Sequence, residues 1–472
     1  MAHFRFPARS LSAVFLAFSL SLHAQAPATV VTHATIFTMA AGQQTPIHGY
    51  ISISAEGRIL AVASGDPPAS LKASRIVDAH GDWMIPGLIS AHSHLWQAAY
   101  RGLAANRTLP GWIDDLYGVR AKKASAEDFY WFAQYGALDH LQHGVTTAYT
   151  FTYGDRGSAA ERNAFEEAQF RGVADSGIRF VHSFSPDHMG HGVTQQQGRD
   201  RLKAFLDWTR TQNADPRFLS VMIGGMTAFN DSAEQPIAEG AWMREFHLAN
   251  QTHYIESADD QGEQRSTFRW MLDAHFVQHD LIFGHFIHAD DFILDEVAKA
   301  HGGMVWNPLS NGRLASGTPD IPKYRKLGIR VGMGVDGEAS ADLADPFENM
   351  RTGLYAIRAK YESALAMSPY DVLWLHTMGS ADVLNVQDKL GSLEPGKYAD
   401  FLLISPERLG AVLEDPYSNL VLVAGERDID SVWVGGTKEV EHGDLLHHDI
   451  HTAAAECSRR VLAENGTTPT PQ

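Results

Sequence analysis

Ile85-Pro86-Gly87-Leu88-Ile89-Ser90-Ala91-His92-Ser93-His94 is the stretch on which the reading of this chain turns. An apolar run ends in two histidines two residues apart. In a strand, residues i and i+2 project to the same side, so His92 and His94 share one face at the strand's end. Neutral imidazoles held together suit Zn, Fe, Co or Mn. A His-x-His pair alone is a weak pointer, because ordinary strand-end histidines share that spacing.

Working outward, the apolar run Trp83–Ile89 is followed by Val145–Phe151, Ile178–Phe184, Phe218–Ile223, Thr252–Ile255, Leu281–Phe283, Met304–Trp306 and Ile329–Met333. Longer amphipathic stretches separate them, among them Ala126–His143, Glu161–Ser176, Gly198–Thr211 and Asp291–Ala300. This alternation predicts an α/β fold, a closed parallel (β/α)8 TIM-type barrel spanning residues 85–391. An open doubly wound sheet is the rival, but it usually carries a Gly-rich phosphate turn after its first strand, and none occurs here.

Both ends of the chain read differently. Thr29–Thr38, Gly49–Ile53 and Gly57–Ala63, and later Asp400–Ile404, Val421–Ala424 and Ser431–Val434, are short strand-like segments between turns. Neither set can bury a face alone, so residues 27–84 and 392–450 are expected to pair into one small accessory β-sandwich. Residues 451–472 read as a polar C-terminal tail in which Cys457 is incidental. The nearby His442, His447, His448 and His451 have a spacing that fits no closed tetrahedral site. His140 and His143, three apart on a helix, read as surface and helix-end residues.

Composition narrows the partners. With 38 basic and 56 acidic residues the net charge is −18 and no Lys/Arg-rich run occurs, which disfavours nucleic acid and anionic membranes. A 44% hydrophobic and 20% charged chain is ordinarily globular. Residues 1–26 read as a signal peptide: Arg5 and Arg9, an apolar stretch from Leu11 to Leu22, then small residues around Ala24 and Ala26. That stretch is too short to persist as a membrane span. The expected location is therefore periplasmic or secreted, with no membrane partner once the signal is removed. The lone Cys457 excludes an intramolecular disulfide.

Three later strand ends strengthen the first. Thr252-His253-Tyr254-Ile255-Glu256 closes the fifth run, Gly284-His285-Phe286-Ile287-His288 the sixth and Gly334-Val335-Asp336-Gly337 the eighth. A barrel brings all of these to its C-terminal mouth, where such folds place their active sites. Taken singly, Asp336 fits a turn and Glu256 a surface carboxylate; their joint occurrence with the histidines is the strong feature.

These motifs resemble the amidohydrolase superfamily, and within it the branch of deaminases and chlorohydrolases acting on nitrogen heterocycles. The resemblance also covers the run Asn307-Pro308-Leu309-Ser310-Asn311-Gly312-Arg313, the extension Glu338-Ala339-Ser340 and the closing Gly391-Ser392-Leu393-Glu394-Pro395-Gly396-Lys397-Tyr398-Ala399-Asp400. It implies that His92, His94, His253 and Asp336 are the ligands of one divalent transition metal, Zn first, with Fe, Co or Mn also fitting. It implies Glu256 as proton shuttle and His285 as the histidine that polarises substrate or orients hydroxide. The binuclear branch uses a carbamylated lysine on the fourth strand, and Arg217–Gly225 contains no lysine, which favours one metal.

General chemistry agrees with these roles. A metal with an open position lowers the pKa of a water to roughly 7. Asp336 could both ligate and accept that water's proton, and a carboxylic acid at Glu256 could protonate a ring nitrogen and then a leaving amine. Gln97, Arg101 and Trp112, in the segment where this branch often builds its substrate wall, are weaker candidates for substrate contact. So are Asp187, His188 and His191 after the third strand, with His288 and Asn311.

The leading expectation is an exported metal-dependent amidohydrolase, a hydrolytic deaminase of an aminated nitrogen heterocycle using metal-activated hydroxide. An alternative keeps the site but cleaves an amide, carbamate or cyclic imide C–N bond or expels another leaving group. A non-enzymatic binding protein on the same barrel is a remote third. The expected partners are a small-molecule substrate and water, with homo-oligomerisation left open. The fourth strand lacks the histidine this branch often carries after it, which bears on the substrate's pose.

Overall fold

The computed structural model describes residues 27–464 apart from 155, 213–215, 260 and 411–414. The expected signal peptide (1–26) and the end of the expected tail (465–472) lie outside the described residues. The central sheet is all parallel. In chain order its strands are Leu88–His94, Val145–Thr150, Arg179–Phe184, Phe218–Gly225, Asn250–Tyr254, Leu281–His285, Gly303–Trp306 and Arg330–Met333. The last continues into the short segment Asp336–Gly337, which pairs back onto the first strand, Asp336 against Ser93 and Gly337 against His94. The sheet thus curls into a TIM-type barrel, as the alternation predicts. Its strands read as near-continuous apolar runs because helices cover them.

The helices start where short polar side chains satisfy the free N–H groups of a first turn. Ser125 with Asp128, Ser158 with Glu161 and Thr194 with Gln197 form reciprocal capping boxes for Ala126–Gln142, Ala159–Ala174 and Gln195–Thr211.

A second, nine-stranded sheet joins the two chain ends. Thr29–Ile36 pairs with Ile47–Ile53 on one edge and with Arg75–Asp78 and then Trp83–Pro86 on the other. Trp83–Pro86 in turn pairs antiparallel with Phe401–Ile404, which leads on to Ile429–Val434. Strands from both ends thus pair in one continuous sheet, where a sandwich is expected from the sequence, and it has its own apolar cluster of Val31, Ile51, Ile53, Met84, Phe401 and Trp433.

Four details differ from the sequence reading. The run Trp83–Ile89 is split at Gly87: residues up to Pro86 belong to the accessory sheet and Leu88 begins the barrel. A Cβ at Gly87 would lie 2.1 Å from Thr146 Oγ1, so only glycine fits this crossing. Val421–Ala424 is no strand. Residues Pro416–Leu422 are helical, started by Asp415 accepting from the Tyr417 N–H with Pro416 in the first turn. The third difference is at the C-terminus, where Ile450–Glu464 is a helix rather than a solvated tail. It packs Ala453 and Cys457 inward, and the Cys457 thiol lies 3.4 Å from the Trp131 carbonyl oxygen. The i, i+4 spacing of those two residues is the apolar stripe that holds it down.

His140 is the fourth, fully buried rather than on the surface. Its Nδ1–H donates to the Gly136 carbonyl at 2.8 Å and its Nε2 accepts from Ser93 Oγ at 3.0 Å. His376 is held similarly, with Nδ1–H donating to the Ile89 carbonyl at 3.1 Å and Nε2 accepting from Asn349 at 2.9 Å. Burial pushes His140 down to about 3 and His376 down to about 4. Between those values and the ordinary 6.5, the unfolded chain binds more protons than the folded one, so stability is full above pH 6.5 and falls as pH drops. The melting temperature is expected to decline progressively on acidification through that window. A flat profile from pH 6.5 to 4 would contradict the neutral, buried assignment of both rings.

One ion pair clasps the barrel to the accessory sheet. Arg179, at the start of the third barrel strand, donates from Nε and one terminal nitrogen to the two Asp400 oxygens at 2.8 and 2.9 Å. Both side chains are buried, the Gly435 N–H also donates to Asp400 at 2.7 Å, and the guanidinium lies over Tyr398. Arg179→Met is expected to destabilise the fold by about 3–5 kcal/mol, because it leaves a buried carboxylate without its partner. Equilibrium denaturation checks this, and a loss below about 1 kcal/mol would mean Asp400 is already satisfied by its other contacts.

Candidate metal centre and substrate pocket

The barrel brings the strand-end side chains together at its C-terminal mouth. His92 Nε2 and His253 Nε2 each lie 3.2 Å from His94 Nε2. Asp336 Oδ1 lies 3.4 Å from His92 Nε2 and 3.3 Å from His94 Nε2. All four residues are buried. A tetrahedral ion bound at about 2.0–2.1 Å needs its donor atoms about 3.3–3.4 Å apart, and these four separations lie close to that spacing.

The polar surroundings keep the donors available. The Gln251 amide donates from Nε2 to the Ala91 carbonyl at 2.9 Å, which turns its oxygen toward His92 Nδ1 in a hydrogen bond. A carboxamide oxygen only accepts. His92 therefore carries its proton on Nδ1 and aims the Nε2 lone pair into the site. Burial lowers His94 to about 3, and burial together with neighbouring histidines holds His253 well below its ordinary value. Both are neutral, as ligation requires.

Gln251→Leu is expected to weaken metal affinity about 10–100-fold, as loss of such outer partners typically does. Competition with a chelator measures it. Unchanged affinity would make Gln251 a packing residue only.

Glu256 and His285 sit beside the donors. His285 Nδ1 is 3.5 Å from Glu256 Oε1 and its Nε2 is 3.7 Å from Asp336 Oδ2. The Asn311 amide contacts His285 Nδ1 at 2.7 Å and the Asn307 amide its Nε2 at 3.3 Å. Burial pushes His285 down to about 3, so it acts as a neutral hydrogen-bonding group. Ser340 Oγ donates to Asp336 Oδ2 at 3.0 Å.

The backbone here is strained. Ile255, His285, Phe286 and Asp336 all have positive φ, between 48° and 63°. A β-branched residue in the left-handed region is a genuine outlier, and such positions cost about 1–3 kcal/mol each. Gln264 holds the first of them, its side-chain oxygen accepting from the Ile255 N–H. Glycine serves at Gly334, where a Cβ would meet the His92 carbonyl oxygen at 2.6 Å.

A pocket of about 240 Å³, open to solvent, lies over the donors. His94, His253, Glu256, His285 and Asp336 form its floor. Trp112, Tyr117, Phe151 and Tyr153 line one part of the wall, and Met226, Phe229 and Leu314 another. The Tyr117 and Tyr153 rings meet edge to face at 5.0 Å between centroids, and Phe151 lies 4.6 Å from His253.

The structure sorts the weaker sequence candidates. Trp112 lines the inner pocket, while His188 and His191 line an outer cavity. The other five substrate-contact expectations are corrected, since none of those residues lines either cavity. Gln97 lies behind the wall and donates to the Tyr117 hydroxyl at 3.1 Å. Asn311 orients His285. His288 is turned to the Ser316 carbonyl oxygen at 2.8 Å because the strained Phe286 redirects the chain past the site. Asp187 is taken up by Arg162 at 2.7 Å and Arg201 at 3.1 Å, and Arg101 by Asp139 and Glu338.

Several groups escaped the sequence reading. Tyr117 and Phe229 reach the pocket from the short helical turns Asp114–Arg120 and Thr227–Phe229, and Tyr153 and Met226 from the ends of strands, none with a motif of its own. Met226 and Phe229 occupy the turn where the fourth strand lacks a histidine, and Glu239 fixes that turn by accepting from the Met226 N–H at 2.8 Å. Gln251 had a findable signature, since it stands two residues before His253 on the same strand face.

Comparison with known proteins adds three findings. The Amidohydrolase family profile matches residues 83–438. A 5-methylthioadenosine/S-adenosylhomocysteine deaminase of Symbiobacterium thermophilum is 27% identical over 390 residues, 80% of this chain and 85% of that protein. Among solved structures, a zinc-bound adenosine deaminase from Xanthomonas campestris superposes with a TM-score of 0.81 at 19% identity, covering 94% of this chain and 100% of the other.

Proposed function

The chain belongs to the amidohydrolase family, and from that premise and the geometry of its pocket we propose a metal-dependent hydrolytic deaminase of an adenosine-type aminated heterocycle. Hydrolysis of a C–N bond follows from the family and the deaminase-named relatives. The observation that carries the finer reading is the placement of Glu256 and His285 beside the cluster of histidine and aspartate donors, in a pocket walled by aromatic side chains.

His92, His94, His253 and Asp336 would hold one divalent ion. When bound, such an ion makes water acidic enough to supply hydroxide near neutral pH. The chain's own groups then handle protons. Asp336 Oδ2, steadied by Ser340, accepts the proton of the attacking water. Glu256, entering protonated, delivers its proton to the ring nitrogen next to the reacting carbon; Asp336 then passes the proton it took from water to the departing amine, and the proton left on the attacking oxygen returns to Glu256 as the product carbonyl forms. His285, kept neutral and oriented by Asn311, offers a hydrogen bond to the oxygen that becomes the product carbonyl. The aromatic wall stacks the ring and excludes bulk water.

Ammonia release across a panel of amino-purines, amino-pyrimidines, pterins and triazines tests the reading, with amides and cyclic imides as the contrast. Turnover confined to the amides would replace deamination by amide hydrolysis at the same centre. Export is part of the proposal, supported by Arg5, Arg9 and the Leu11–Leu22 stretch. The mature protein should begin near Gln25 or Pro27, and a cytoplasmic form retaining Met1 would refute it.

A further inference from the structure

The pocket has two compartments. Ile113 and Phe229 line both the inner space over the metal donors and an outer cavity bounded by Asp114, His188, Asp231 and Glu263, and so form the neck between them. Phe229 is anchored on the inner side, its ring 5.7 Å from that of His253. Above the floor the inner wall is mainly aromatic or aliphatic, with the uncharged Thr152, Ser185 and Ser340 set into it. In the outer cavity the carboxylates of Asp114, Asp231 and Glu263 are the permanently charged groups, and His191 is tied to Asp231 at 2.9 Å. Among the described residues, neither compartment is lined by a lysine or arginine.

We infer that the heterocycle occupies the inner compartment, that its substituent passes between Ile113 and Phe229 into the outer one, and that these walls select neutral or cationic substituents against anionic ones. The inference rests on the deaminase reading for the nature of the ring. An anionic substituent would give up hydration beside apolar surface without gaining a fixed cation, which is unfavourable. It would also enter a cleft of its own sign on a chain of net charge −18, which slows encounter. A thioether or alkyl substituent gains contact at the neck, and an ammonium gains the carboxylates.

A charge series at one position of one ring tests this: 5′-amino-5′-deoxyadenosine, 5′-methylthioadenosine and adenosine 5′-phosphate. Ammonia release by the metal-loaded enzyme gives kcat/KM, and calorimetry on Glu256→Gln protein gives affinity. The neutral and cationic compounds are expected to exceed the phosphate by about tenfold or more in both. The gap should narrow with added salt and in the Asp231→Lys, Glu263→Lys double variant. Turnover of the phosphate equal to the others overturns the inference and leaves deamination standing. No ammonia from any compound, with the affinity order intact, overturns deamination and leaves the inference standing. No measurable binding of any of the three overturns the inference.

Discussion

Glu256→Gln is expected to retain about one equivalent of metal while kcat falls by roughly 10²–10⁴-fold, the usual range for a lost acid–base group. The substitution keeps the shape and hydrogen-bonding capacity of the side chain and removes its ability to carry a proton. Glu256 is buried and its oxygen lies 3.5 Å from His285, while the Ile255 backbone that aims it is held in the left-handed region. The scaffold should therefore survive the change. Metal analysis and steady-state kinetics on the same preparation separate the outcomes. Full activity would remove Glu256 as the proton carrier, and loss of metal would show that it acts through the donor set instead.

The second large effect is at Asp336. Its Oδ1 stands 3.3 and 3.4 Å from two histidine nitrogens, and its Oδ2 accepts from Ser340 and lies 3.7 Å from His285. One oxygen is thus placed to ligate and the other to take a proton. Asp336→Asn keeps the shape but cancels the charge, so metal content should fall below one equivalent in the purified protein. Saturation with added Zn should restore occupancy and leave kcat at least about 10²-fold low, because the amide is no base. Recovery of full activity with metal would reduce Asp336 to a ligand. Two tightly held ions in the unaltered protein would contradict the four-donor centre altogether.

Much of this was legible from local sequence because the site sits at strand ends. A strand that stops at a barrel mouth must turn at once, so His92-Ser93-His94, His253 to Glu256, His285 and Asp336 leave compact, recognisable text. The walls were not legible. Tyr117, Tyr153 and Phe229 come from short helical turns and connections whose course depends on packing rather than on periodicity. Gln97 and Asn311 were placed one layer too far in, because sequence shows that a polar residue is near the site but not which way it faces. Val421–Ala424 failed for a different reason: four apolar residues fit a strand or a buried helical turn equally well. His140 was misplaced because its partner Ser93 lies 47 residues away and no local pattern announces the pairing.

The sheet that joins the two chain ends has a consequence for how the protein is made. Trp83–Pro86 borders the first barrel strand, yet one of its edges is covered only by Phe401–Ile404. A ribosome adding about 5–20 residues per second needs roughly 15–60 s to cover that interval. Through that wait the segment carrying His92 and His94 is tethered to an open strand edge, the kind of template that captures other chains. The nascent polypeptide is thus most vulnerable to misassociation beside its future reaction centre, until Phe401–Ile404 arrives to seal it.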